Sequence, residues 1–178
     1  QAIENTLQIL DLKTLEQAAE ALMQAKDIKI FGVGASSIVG RDLSFKLLRI
    51  GLHAMFPSDF HIQLTSAATM GPGDLAVIIS NSGLTKEMLE IQDLVKQNGV
   101  TTLALTSIGK NPLSQKADIV LTSSSPEIHV RSGAMSSRIA QLIVIDCLFT
   151  TLANKNYAAI EPNLERSYEV SVPHRQVL

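Results

Sequence analysis

Three short stretches of the chain place small residues and hydroxyl or amide side chains where an anion can be held. The first is Gly32-Val33-Gly34-Ala35-Ser36-Ser37. Its glycines let the backbone turn tightly and approach a ligand closely. Ser36 and Ser37 would open a helix whose free N–H groups and dipole favour negative charge. The alternative is a plain strand-to-helix turn. The second stretch is Ser80-Asn81-Ser82-Gly83-Leu84-Thr85-Lys86-Glu87. One hydroxyl at such a place is a helix cap. Ser80, Ser82 and Thr85 together with Asn81 exceed that need. They suit the several acceptor oxygens of a phosphate, with Gly83 allowing close backbone approach and no lysine clamp required. The third stretch, Thr106-Ser107 ahead of Gly109 and Pro112, reads as a loop with a helix cap; the alternative is that Thr106 or Ser107 borders the pocket floor.

Hydrophobic patterning supplies the elements that would position these turns. Short apolar, β-branched runs at 28–31, 53–56, 75–79, 101–105 and 118–121 read as strands. Helical spacing falls between them at 36–50, 59–68 and 85–97, with a short helix opening at Asn111-Pro112 and a long apolar one at 136–152. Gly51 and Asn98-Gly99 mark helix ends, and 71–74 is a turn. Two short helices open the chain, one carrying Ile3, Leu7 and Leu10 and a second that Asp11 or Thr14 would cap. Residues 123–133 read as a polar loop, and the tail from Asn154 is weakly patterned. Strands alternating with helices at this spacing predict an α/β fold, a three-layer α/β/α sandwich with a five-stranded parallel sheet. Ligands of such sheets bind outside the carboxyl ends of the strands at a switch in strand order, which is where the glycine and serine turns would lie.

Composition narrows the function classes. Of 178 residues, 46% are hydrophobic and 18% charged, which excludes a disordered or disulfide-scaffold chain. A net charge of −2 lacks the basic surplus that neutralises nucleic-acid phosphates. No run of about 18 apolar residues is present, so no membrane span is expected. Cys147 is the single cysteine, which rules out an internal disulfide and fits a reducing compartment. It has no adjacent base and reads as a small core residue. No Cys/His cluster has metal-ligand spacing, and no cofactor is expected. A dinucleotide fingerprint would need a third glycine where Ser37 stands, which weakens a nucleotide-binding reading, as does the placing of Asp59 as its ribose acid.

Gly32, Gly34 and Ser36 after the first strand, and Ser80, Ser82, Gly83, Thr85 and Glu87 after the third, resemble the SIS (sugar isomerase) domain, a phosphosugar-binding module. The strings Gly40-Arg41-Asp42-Leu43-Ser44-Phe45-Lys46 and Met135-Ser136-Ser137-Arg138-Ile139-Ala140-Gln141-Leu142, followed by Ile145-Asp146, resemble RpiR-family bacterial transcription regulators. Within that family the chain looks closest to regulators of amino-sugar breakdown, in the N-acetylmuramate and sialic-acid pathways. The resemblance implies a cytoplasmic SIS domain at 26–155 that senses a sugar phosphate, helices at 1–25 linking it to a helix-turn-helix DNA-binding head upstream of Gln1, and an extension at 156–178. It also implies a homodimer, and a phosphate held by Ser36, Ser37, Ser80, Ser82 and Thr85.

For the sugar, His61 is expected to reach the neighbouring subunit's ligand; otherwise it is a surface histidine. Asn81, Glu87 and Glu127 are the further sugar-contact candidates. Glu127 and His129 lie in the polar loop, where a carboxylate suits sugar hydroxyls or, raised by burial, acts as a base. A solvated loop is the alternative. Arg131 and Arg138 would offset charge near the site. Ile3, Leu7 and Leu10 pack either on a partner helix or on their own domain. The expected role is binding without catalysis; the rival is a ketose–aldose phosphosugar isomerase using Glu87, Glu127 or His129 as base.

Overall fold

The computed structural model describes residues 1–124 and 135–171. Two helices, α1 (Ala2–Ile9) and α2 (Leu12–Gln24), precede the first strand, and Asp11 caps α2 by accepting from Thr14 N at 2.8 Å. There follow β1 (Ile28–Phe31), α3 (Ala35–Arg49), β2 (Ala54–Met55), α4 (Phe60–Ala68), β3 (Leu75–Ile79) and α5 (Lys86–Gln97). The chain continues through β4 (Thr101–Ser107), α6 (Pro112–Lys116), β5 (Ile119–Ser123), α7 (Met135–Lys155) and α8 (Tyr157–Glu169). The five strands form one all-parallel sheet in the order β2-β1-β3-β4-β5. Strand order therefore reverses between β1 and β3, which pair from Ile28↔Leu75 to Phe31↔Ile78. The turn after β1 and the turn after β3 leave the sheet side by side.

Every residue of β3 is buried, as a strand covered on both faces requires. The period of two sorts its side chains between two cores. Leu75, Val77 and Ile79 join Leu22, Leu43, Leu47, Val144 and Leu148 under α2, α3 and α7. Ala76 and Ile78 face Met88, Ile91, Val95 and Leu113 under α5 and α6. Small Ala76 and Ala104 let the second helical layer approach closely.

Helix α7 is long and apolar enough to cross a membrane by composition alone. Its residues Ala140, Val144, Ile145, Leu148 and Leu152 are nevertheless buried in the first core, and Asp146 on α7 pairs with Lys46 of α3 at 3.0 Å, so it is a core helix. In α1 only Thr6 is buried. Its hydroxyl accepts from Ser124 N at 3.0 Å and donates to Ala2 O at 2.7 Å, with Ser124 O also at 3.1 Å. Leu10 packs against the core, whereas Ile3 and Leu7 are exposed.

Two expectations are corrected. Thr106 and Ser107 are strand rather than loop, because they pair with Thr122 and Ser123 of β5. Within the tail read as weakly patterned, Tyr157–Glu169 forms α8, with Pro162 inside it and Ile160 as its buried residue. Asn163 of α8 donates from Nδ2 to Ile50 O at 3.1 Å, at the point where Gly51 (φ 82°) ends α3.

Asp118 joins the start of β5 to β4. It accepts from Thr102 N and Thr102 Oγ1, both at 2.8 Å, and from Lys96 Nζ at 2.7 Å. Burial pushes its carboxyl up, but the hydrogen bonds from Lys96 and Thr102 outweigh burial and hold it below its ordinary value. A carboxyl lowered in this way stabilises the fold above its unfolded pKa, about 3.9. That contribution disappears as pH falls through the folded value. Asp118→Ala leaves the buried Thr102 N–H without its acceptor and is expected to cost about 1–3 kcal/mol at neutral pH. The gap from wild type should close as pH drops below about 4; urea unfolding across that range measures both.

Candidate functional site at the strand-order switch

Each helix that follows a strand must satisfy the N–H groups of its first turn. After β2, Asp59 caps α4, accepting from His61 N at 2.9 Å and Ile62 N at 3.3 Å. That assigns Asp59 to capping and removes it as a ribose ligand. After β4, Asn111 caps α6 in a reciprocal pair with Ser114. The helices after β1 and β3 differ: neither α3 nor α5 has a side-chain cap. These are the two helices at the switch, so two helix starts without a side-chain cap lie at adjacent strand ends; in α3, Ser36 N and Ser37 N donate instead to Val33 O at 3.2 Å and Gly34 O at 3.1 Å.

At the β1 turn, Gly34 is the N-cap of α3 with φ 56° and ψ −129°, a conformation that favours glycine. Gly32 is buried, and a Cβ there would lie 3.1 Å from Ser36 O. The Ser37 hydroxyl donates to Gly34 O at 2.7 Å, so it closes the turn. Ser36 is half-buried one residue earlier on the same helix start. Gln63, fully buried on α4, braces this turn from behind by donating from Nε2 to Gly32 O at 3.1 Å and to Pro57 O at 2.9 Å. Sequence reasoning missed Gln63; the available signal was a polar residue on the Phe60/Ala67 face of α4.

At the β3 turn, Thr85 occupies the N-cap position of α5, yet its hydroxyl shares a 2.8 Å hydrogen bond with Ser80 Oγ. Ser82 is exposed, and its hydroxyl accepts from Leu84 N at 3.2 Å. Gly83 (φ 62°) donates from N to Ser80 O at 3.2 Å. Asn81 holds a buried Oδ1 that has no hydrogen-bond partner. Glu87 is half-buried in the first turn of α5, where the helix dipole favours its charge.

The structure thus brings Ser36, Ser37, Ser80, Asn81, Ser82, Thr85 and the three glycines to adjacent strand ends. His61 is placed differently. It is exposed and lies two residues before Gln63, on the opposite face of α4, so its ring points away from its own chain's Gly32 turn. Glu127, His129 and Arg131 lie outside the described residues. A groove of about 660 Å³ between α4 and α5 is lined by Leu64, Lys86, Leu89 and Asp93, and none of the serines of the two turns lines it.

Residues 21–151 match the family model described as SIS domain. The chain belongs to the SIS domain family. It is 46% identical over 170 residues to an uncharacterised HTH-type transcriptional regulator from Caldanaerobacter subterraneus subsp. tengcongensis, covering 96% of this chain and 60% of that relative. The chain therefore spans less than two thirds of the relative's length. NanR of Vibrio vulnificus, solved in complex with ManNAc-6P, superposes with a TM-score of 0.90 at 33% identity, covering 98% of this chain and 67% of that one. The sugar isomerase domain of an RpiR transcription factor from Sphaerobacter thermophilus shares the fold, with a TM-score of 0.82 at 21% identity over 94% of this chain and 92% of that one. The RpiR resemblance drawn from residues 40–46 and 135–146 accords with these relatives.

In this SIS domain those two strings meet. Lys46 of α3 donates to Asp42 Oδ2 at 2.6 Å and pairs with Asp146 on α7 at 3.0 Å. Burial lowers the Lys46 pKa, but the hydrogen bonds to the two aspartates outweigh it and raise the pKa overall. Gly40 leaves room for the Phe56 ring, which a Cβ would meet at 2.6 Å, and the Arg41 guanidinium sits 5.9 Å from that ring's centre. Arg138 is half-buried in the first turn of α7. Burial and the nearby Asp146 charge push the Cys147 thiol up, which fits a core residue and opposes thiolate chemistry.

Gly83→Ala tests the serine turn. The added Cβ would collide with the Asn111 carboxamide at a backbone conformation that already disfavours alanine. The expected loss is about 1–3 kcal/mol, read as a lowered urea midpoint.

Proposed function

We propose that this chain is the effector-binding domain of a bacterial transcription regulator and binds an amino-sugar 6-phosphate at the β1/β3 switch. N-acetylmannosamine 6-phosphate and N-acetylmuramic acid 6-phosphate are the proposed effectors. The observation that carries this reading is the pair of uncapped helix starts, α3 and α5, opening onto one crevice among hydroxyl side chains. A phosphate dianion is a charged acceptor suited to helix starts that carry no side-chain cap. The likeness to NanR, whose solved complex holds ManNAc-6P, supports the choice of ligand class.

In this reading Ser36, Ser37, Ser80, Ser82 and Thr85 receive the phosphate, while Asn81, Glu87 and Glu127 face the sugar. His61, turned away from its own chain's turn, reaches the sugar of the second subunit in a homodimer. The exposed apolar residues Ile38, Phe45 and Leu48 on α3 suit such a dimer face. Effector binding shifts the arrangement of the dimer, provided the two arrangements bind it with different affinities. An upstream helix-turn-helix domain then reads the change as altered DNA binding in the cytoplasm. The domain acts by binding, without catalysis.

A thermal-shift panel of hexose and amino-sugar 6-phosphates tests the reading. Ligand at about 100 times its Kd should stabilise the fold by roughly 2.7 kcal/mol. A flat panel refutes the ligand class, and isomer conversion seen by NMR would instead identify an isomerase. Ser82→Ala should weaken the best ligand by about 1–3 kcal/mol, measured by calorimetry, with little change in binding of a phosphate-free sugar.

A further inference from the structure

The carbonyl oxygens of the serine turn are held on the β4 side of β3. Asn81 O accepts from Ser107 N at 2.9 Å and from the Thr106 hydroxyl at 3.2 Å. Gly83 O accepts from Leu113 N at 3.3 Å, across the turn from α6. All described peptide bonds are trans, and in a trans peptide the N–H points opposite to the preceding carbonyl. Drawing Asn81 O toward β4 therefore aims Ser82 N–H the other way, toward β1 and the switch crevice. The neighbouring Leu84 N–H is already occupied by Ser82 Oγ.

Thr106 is fully buried, and its hydroxyl has two partners. It donates to Asn81 O and accepts from Asn111 Nδ2 at 3.1 Å. Asn111 is itself held, because its Oδ1 accepts from Ser114 N at 2.9 Å and fills the space a Cβ on Gly83 would need. One hydroxyl and one carboxamide thus join the end of β4, the start of α6 and the serine turn.

We propose that Thr106, oriented by Asn111, is a positioning residue that aims Ser82 N–H at the ligand phosphate. It touches no ligand itself. The proposal rests on the phosphate site described above and deepens it, by separating the groups that meet the anion from those that aim them. Thr106→Val keeps the shape and removes the hydroxyl. Thr106→Ser restores the hydroxyl. Asn111→Ser keeps a good helix cap for α6 but is too short to reach Thr106.

The experiment is a titration of the 15N-labelled chain with N-acetylmannosamine 6-phosphate, followed by amide resonances. In the wild type, the Ser82, Ser36 and Ser37 amides should all shift. In Thr106→Val, with Ser107 N still holding Asn81 O, the Ser82 shift should shrink while those of Ser36 and Ser37 persist, and affinity should fall up to about tenfold, the scale of one hydrogen bond. Thr106→Ser should recover both within about twofold. Should Thr106→Val fail to fold, Asn111→Ser carries the same expectation. A folded Thr106→Val or Asn111→Ser with an unchanged Ser82 shift and affinity overturns the positioning role and leaves the phosphate site standing. A wild-type spectrum that stays still at both turns overturns the site itself.

Discussion

Two neighbouring helix starts without side-chain caps constrain this domain most. A parallel sheet with the order β2-β1-β3-β4-β5 sends the crossover leaving β1 and the crossover leaving β3 in opposite directions, and their helices, α3 and α5, start beside each other. Elsewhere at this edge a carboxylate or carboxamide fills the helix start, as Asp59 does for α4 and Asn111 for α6. At the switch, glycine and threonine stand in the cap positions, and the threonine hydroxyl is bonded to Ser80. The polarity left there comes from the backbone. Lys29, the one cation within β1, is engaged with Ser66 O and Thr69 Oγ1, both at 3.1 Å, and Lys46 is held between two aspartates.

Much of this was legible in the sequence, for identifiable reasons. Leu75–Ile79 is a continuous β-branched and apolar run, and a strand buried on both faces needs that composition. The glycines at 34, 51, 83 and 99 all adopt positive φ at turns or helix ends, where their placement among polar residues had marked them. What stayed hidden depends on contacts between distant segments. Thr106 and Ser107 look like loop residues until β5 pairs with them. Helix α8 carries a proline and buries only Ile160, so no periodic stripe announces it; its register is held by Asn163 reaching Ile50 across 113 residues.

The site shows the same division. Residue types identified the hydroxyl cluster, but composition does not say which way a hydroxyl faces. Ser37 turns inward to Gly34 O, and Ser82 accepts from the backbone two residues ahead. The two side chains that brace the turns from behind, Gln63 and Asn111, are ordinary amides in sequence. Each acquires its role only when α4 or α6 folds over the strand ends. The RpiR strings, visible only as a resemblance, acquire a physical content as the Lys46 bridge between α3 and α7.

The hydrogen bonds of Thr6 tie α1 to the end of β5, with a mechanical consequence. The helix packs along α7, and Thr6, its buried residue, fastens it to the backbone of Ser124. From there a line of hydrogen bonds crosses the sheet rim: Ile108 N to Ser123 O at 2.9 Å, then Ser107 N to Asn81 O at 2.9 Å. Displacing α1 without moving Ser124 would leave a buried hydroxyl and a peptide N–H without their partner. A shift of α1 that keeps this bond would therefore move the rim on which the serine turn is mounted.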